Sequence, residues 1–344
     1  MNPFALSLLV VCAAAMLFLP RHWAPLPLLV GACYMTLAQG IELGAFSFPV
    51  LRMLIVVGVL RVVIRGERVP GGLIGLDWLM VAGVMWMLAS SMFHKDPGGM
   101  FVNNLGMALN NLGIYFLVRI ACQDREDVVR LAGYTAFLLV PVALEMIVEH
   151  LIVRNLFATL GGVPPVPGIR EGRLRAQGPF AHAILAGTVG AVTLPLMAGL
   201  WHEHRKRALL GMAACVVMVL ACSSSGPIMS FLAGIVGLVM WRWRHRMRAV
   251  RWLLVLGYIA LDIVMKAPAY YIIGRIDIVG GSTGWHRAAL IESGLAHLHE
   301  WWLAGTDFTR HWMPTGVSWS NDHTDITNHY LALGVRGGLP LMLL

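Results

Sequence analysis

Apolar runs recur from one end of this chain to the other, and no other feature restricts its fold as much. They lie near 4–19, 24–39, 49–64, 76–93, 101–119, 128–149, 180–200, 208–222, 226–241 and 250–265, and an eleventh runs from 329 to Leu344. Such runs suit the ~30 Å hydrocarbon layer of a bilayer, and those shorter than ~20 residues ask for tilt or local thinning. Only helices and closed barrels satisfy their backbone in lipid, and the alternation of barrel strands is missing here. The expected fold is therefore all-α: a polytopic membrane bundle of about eleven or more transmembrane helices. A hydrophobic content of 58% against 13% charged residues agrees with that, as does a mean hydropathy of +0.72. The expected division is a bundle over 1–265, a large polar loop over 266–328, and over 329–344 the start of a further span that continues past the end of this sequence.

The first run has no basic segment before it and a second follows at once, so it reads as a membrane helix rather than a cleaved signal. The five cysteines, Cys12, Cys33, Cys122, Cys215 and Cys222, lie in or beside apolar runs. Their spacing points to neither disulfides nor zinc, and they read as packed thiols.

Charge sets the expected orientation. If the loops alternate sides, 15 of the 26 basic residues fall on one side, in short loops around Arg21, Arg61–Arg68, Arg119–Arg130, Arg205–Arg207 and Arg242–Arg251. The positive-inside rule makes that side cytoplasmic. The net charge of +8 is then largely topology, and nothing resembles a solvated base-reading face for nucleic acid. Nine basic residues are left on the outer side: Lys95, Arg154, Arg170, Arg173, Arg175, Lys266, Arg275, Arg287 and Arg310.

Two outer loops hold most of the polar chemistry. In 150–179, the prolines of Val163-Pro-Pro-Val-Pro-Gly168 forbid a continuous helix, and Arg170, Arg173 and Arg175 follow with only Glu171 to offset them. Clustered guanidinium groups suit a phosphate or pyrophosphate, and equally suit lipid headgroups or helix ends. In 266–328, Ala267-Pro-Ala-Tyr-Tyr271 and Trp301-Trp302 read as interfacial aromatics. Apolar positions 288, 291, 295 and 298 predict a helix along the membrane face. Gly305 to Asn328 reads as an ordered irregular surface. Glu145 and Asp262, inside apolar runs, are expected to face the bundle interior, and Arg52 to pair with Glu42 or Glu145.

Arg175-Ala-Gln-Gly178-Pro-Phe180-Ala-His182 resembles the Arg-x-x-Gly-x-Phe signature of the O-antigen ligase and O-antigen polymerase superfamily. The Arg287-initiated helix in a long outer loop is similar to that family too, as is Asn328-His329-Tyr330-Leu331 followed by Gly337-Gly338. The resemblance covers roughly 170–344. The chain departs from it at Ser223-Ser-Ser-Gly-Pro227, where the family carries Ser-Arg, and in the order Asn-His-Tyr, where the family has His-Asn-x-Tyr.

The resemblance implies a GT-C-like inner-membrane enzyme facing the periplasm. Such an enzyme moves a glycan from an undecaprenyl-pyrophosphate carrier to a sugar or lipid-linked acceptor. The leaving pyrophosphate needs its charge neutralised; one charge pair at ~4 Å is worth about 4 kcal/mol at an effective dielectric of ~20, before desolvation. Arg175 and Arg287 are the expected catalytic arginines, with Arg173 and Arg170 as supporting charge and no cofactor or metal. Histidine, whose ordinary pKa is about 6.5, suits the base. His329 is the expected base, with Asp325 to orient it if that stretch is helical. Gln177, His182, His323, Asp325 and Asn328 complete the expected substrate-binding set.

Two alternatives stand beside this. Asp322, His323, Asp325 and His329 offer mixed nitrogen and oxygen donors to a divalent ion, although no compact zinc motif is present. A lipid-linked oligosaccharide or polysaccharide transporter would also use outward arginines, but paired repeats with broken helices are not evident. Polymerase and ligase differ only in acceptor, which the residues do not identify.

Overall fold

A computed structural model describes residues 1–275 and 284–344. Gly280-Gly281-Ser282 and Thr283, ahead of the loop helix, lie outside the described residues. The fold is mostly helical. In chain order the helices are α1 (Pro3–Phe18), α2 (Pro25–Tyr34), α3 (Val50–Arg65), α4 (Gly75–Ser90), α5 (Pro97–Ala121), α6 (Arg125–Ile152) and α7 (Ala183–Gly199). They continue with α8 (Arg205–Ala221), α9 (Ser225–Met240), α10 (Met247–Val264), α11 (Ile272–Arg275), α12 (Gly284–Ala296), α13 (Leu298–Trp301) and α14 (His329–Leu343). Three antiparallel hairpins that hydropathy did not announce join them. They are β1 (Gly40–Leu43) with β2 (Phe46–Pro49), β3 (Gly168–Arg170) with β4 (Arg173–Arg175), and β5 (Gly316–Val317) with β6 (Ser320–Thr324).

The eleven expected spans are not reproduced as eleven membrane-length helices. Among the described residues, two segments are both long and apolar enough to cross a bilayer, Gly75–Phe93 and Arg125–Ile152; Pro3–Phe18 and Ala183–Gly199 are apolar but shorter. Most of the other helices are short: a 16-residue helix such as α3 rises only about 24 Å at 1.5 Å per residue. In α5, with 25 residues, and α10, with 18, length suffices and polar or charged residues lower the apolar character instead.

The chain forms two compact units. The first comprises Met1–Gly72 and Gly113–Arg244. Its core is built by α6, α7 and α8, where Ala136, Leu139, Val142, Met146, Ala186, Met197, Cys215 and Met218 are buried together. The many alanines let the helix backbones approach closely, as small residues do in membrane bundles. Asp124 starts α6 by accepting the Asp127 N–H at 2.8 Å, which satisfies one orphan donor of the first turn.

Arg61, expected in a short basic loop, does not lie in one. It is instead only 2% exposed inside α3, where it donates to Glu67 at 2.8 Å and to the Leu19 carbonyl at 2.8 Å. A buried guanidinium needs such partners, since desolvation would otherwise outweigh any gain.

The second unit comprises Leu73–Leu112 with 245–275 and 284–344. Leu290, Trp301, Trp312, Met313 and Leu331 form its main apolar cluster. Trp301 is therefore core, donating its indole N–H to the Gly294 carbonyl at 2.8 Å, and not an interfacial anchor. Asp262 is exposed and accepts the Ala269 N–H at 2.9 Å, so it holds the turn that follows α10 rather than facing inward.

α14 does not run straight: Gly337 and Gly338 leave helical geometry, Gly338 at φ +73°. A side chain at Gly338 would run into the Leu303 carbonyl. The carbonyls freed at the break all find donors. That of Val335 accepts from the Thr306 N–H at 2.8 Å, that of Arg336 from His94 Nε2 at 2.9 Å, and that of Gly337 from Trp86 Nε1 at 2.6 Å.

Candidate functional site

In the first unit the Arg-x-x-Gly-x-Phe segment is a fixed turn. Glu149, fully buried in α6, accepts the backbone N–H groups of Gln177 at 3.1 Å and Gly178 at 2.9 Å. Asn155 donates to Glu149 at 3.3 Å and to the Gly178 carbonyl at 2.8 Å. Gly178 takes φ +56°, a conformation that L side chains rarely adopt. Gln177 is buried, and its amide donates to the Phe180 carbonyl at 2.9 Å, so its side chain holds the turn together. His182 precedes α7 with an exposed ring that makes no capping bond.

This turn presents Arg175, the last residue of β4. Its guanidinium is partly buried, and its Nε is a buried donor with no partner among the described residues. Burial pushes the Arg175 pKa down, and the nearby Arg170 charge pushes it the same way. Arg170 and Arg173 face each other across the β3–β4 register and are exposed. A half-desolvated guanidinium with an open donor and a second cation nearby is suited to an anion with several oxygens.

The second unit holds an open cleft of about 550 Å³, with His94, Lys95, Asp307, Asp322 and His323 among its walls. A neighbouring pocket of about 300 Å³ shares His94, Asp307 and His323 and adds Thr306, Trp319, Asp325 and Arg336. These volumes span the range of small-ligand sites. His94 is buried, with Nδ1 2.7 Å from Asp307 and Nε2 on the Arg336 carbonyl, so neither nitrogen is open to a substrate. Asp307 also accepts the Lys95 backbone N–H at 2.5 Å. Lys95 Nζ reaches Asp322 at 3.3 Å. His323 Nδ1 sits 2.7 Å from Ser320 Oγ, which itself accepts the Asp322 N–H at 3.1 Å. That leaves His323 Nε2 without a hydrogen-bond partner among the described residues.

Arg287 lies in the first turn of α12, half-buried, and its Nε is likewise a buried donor without a partner among the described residues. Beside it, buried His286 shares a 3.1 Å hydrogen bond with Thr315 Oγ1 through Nε2, while its Nδ1 has no partner among the described residues.

His323 and Asp325 share the pocket in the second unit, but His329 and Asn328 take other places. Asn328 is the N-cap of α14, its side chain accepting the Tyr330 N–H at 3.0 Å and the Leu331 N–H at 3.3 Å. His329 is exposed in the first turn of α14. The helix expected to let Asp325 orient it does not form, because β6 ends at Thr324 and α14 starts only at His329. Nor do Asp322, His323, Asp325 and His329 gather as one group of metal donors.

Sequence reasoning missed His94 and Asp307, which stand 213 positions apart. The polar run Phe93-His-Lys-Asp-Pro97 between two apolar helices was the one signal that pointed there. No protein-family model, curated protein or solved structure matches this chain.

Proposed function

We propose that this chain is an integral-membrane glycosyltransferase of the O-antigen ligase and polymerase type. It transfers a glycan from an undecaprenyl-pyrophosphate carrier to a sugar hydroxyl at the periplasmic face of a bacterial inner membrane. The observation that carries the reading is Arg175: a partly buried guanidinium with an open buried donor, presented by a turn that Glu149 and Asn155 hold rigid. Supporting a membrane setting are α4 and α6. So are strongly apolar residues left exposed on several helices, among them Val63, Ile64, Leu151, Ile263 and Val264. Within that reading the apolar helices form a membrane bundle, the short ones crossing by tilt or local thinning.

In the transfer, the bond between the anomeric carbon and the pyrophosphate oxygen breaks and the acceptor oxygen forms its replacement. The electron pair leaves with the pyrophosphate, so negative charge grows there, and the family resemblance assigns Arg175 and Arg287 to it. The acceptor proton goes to a histidine. His323 suits this better than His329, because it lines the pocket with Asp325 whereas His329 is exposed at the start of α14.

The test is glycan transfer by purified enzyme from a synthetic polyprenyl-pyrophosphate donor. Arg175→Ala and Arg287→Ala are expected to lose about 10²–10³-fold in turnover, with poor rescue by Lys, which lacks the bidentate fork. His323→Ala is expected to lose about 10²–10⁴-fold, and His329→Ala far less. Unchanged transfer in both arginine variants would remove them from the mechanism. Movement of the intact lipid-linked glycan without transfer would establish an exporter instead.

A further inference from the structure

A second group of side chains in the 284–344 region has the composition of a metal site and no part in the glycan-transfer reading. His297, Glu300 and His311 each offer one donor atom, and these atoms lie within 4.8 Å of one another. Two come from one short stretch: His297 is the N-cap of α13 and Glu300 lies inside it, with the Glu300 N–H bonded to the His297 carbonyl at 2.9 Å. The third comes from the single turn Arg310–Trp312, closed by a Trp312 N–H bond to the Thr309 carbonyl at 3.0 Å.

Two of the three donors are aimed by a neighbour outside the group. His297 Nδ1 is 2.8 Å from the Ser293 carbonyl, so Nδ1 carries the proton and Nε2 the lone pair. Its ring stacks on buried Trp312 with centroids 5.7 Å apart and planes 15° apart. The Trp312 indole N–H donates to one Glu300 oxygen at 3.0 Å, and His311 Nε2 meets the other at 3.0 Å. Ligating histidines characteristically donate their second ring N–H to a carbonyl or carboxylate, and ligating carboxylates are themselves hydrogen-bonded.

We propose that His297, Glu300 and His311 bind one divalent transition-metal ion, zinc by preference, which ties the start of α13 to the 310–312 turn. Two imidazoles and one carboxylate form an established three-ligand zinc set, and water takes the fourth position. Tetrahedral bonds of ~2.0–2.1 Å place ligand atoms about 3.4 Å apart, and the three donor atoms here already lie within 4.8 Å of one another. The His311–Glu300 hydrogen bond gives way to the metal as it binds. Magnesium, which prefers an octahedral shell of oxygens, is a poor match.

The experiment is zinc titration of the full chain in detergent, with bound metal measured by mass spectrometry after dialysis and the melting temperature followed in parallel. The wild type is expected to retain one zinc ion per chain and to melt higher with zinc than with EDTA, with no response to magnesium. His311→Ala, at an exposed residue, is expected to weaken binding at least 100-fold and to abolish the melting shift while keeping the wild-type circular dichroism. Glu300→Gln is expected to weaken binding as well. His299→Ala is expected to keep the full stoichiometry. Retention of the same zinc by a His297→Ala, His311→Ala double variant would overturn the proposal, and so would a wild type that retains none.

Discussion

At Asp307 two opposing effects meet. Burial pushes its carboxyl pKa up, but the Lys95 backbone N–H and the His94 ring favour the carboxylate and win, holding it below the ordinary range. A carboxyl whose folded pKa is depressed stabilises the fold above its unfolded pKa of about 3.9, and loses that contribution as pH falls through the folded value. The wild type is therefore expected to lose thermal stability below about pH 4 more steeply than Asp307→Asn, with the two curves parallel above about pH 5. Melting temperatures of both proteins across that range would check this, and identical acid profiles would show that Asp307 is not held as its contacts imply. Both nitrogens of His94 are committed, one to Asp307 and one to the break in α14, while Asp307 itself holds the Lys95 backbone N–H.

Among the elements, the turn after β4 concentrates several constraints in four residues. Gly178 adopts positive φ, and a Cβ there would lie 3.3 Å from Glu145 Oε2 and 3.6 Å from Met146 Cγ. Gly178→Ala is expected to destabilise the protein by about 1–3 kcal/mol, the cost of a non-glycine residue in that region. Glu149→Ala is expected to cost at least as much, because it strands the Gln177 and Gly178 N–H groups at about 1–3 kcal/mol each. Denaturation in detergent gives both values; a neutral Glu149→Ala would mean that the turn is held by other contacts. α14 carries the other element-level constraint. Asn328 starts it with two accepted N–H bonds, and the Gly337–Gly338 break lets three carbonyls leave the helix and bind Thr306, His94 and Trp86.

For the whole molecule, the basic asymmetry between loops remains the handle on orientation. If the outer assignment of 266–328 holds, Ser318→Cys is expected to react with an impermeant thiol reagent in cells whose outer membrane alone is permeable. Ser318 is exposed, and the native cysteines, buried except for half-buried Cys122, can be replaced to clear the background. Labelling that waits for the inner membrane to be opened would reverse the orientation. The sequence by itself determined that this chain is mostly helical, because apolar runs without alternation admit little else. Only the tertiary structure decided the helix ends, which follow the apolar runs closely except where the run from 24 to 39 stops as a helix at Tyr34. The pairing of His94 with Asp307, the burial of Arg61 against Glu67 and the grouping of His297, Glu300 and His311 were likewise left to the fold. Local pattern reports on neighbours within a few residues, whereas a polar side chain in the interior is satisfied by whatever partner packing brings to it, at any distance along the chain.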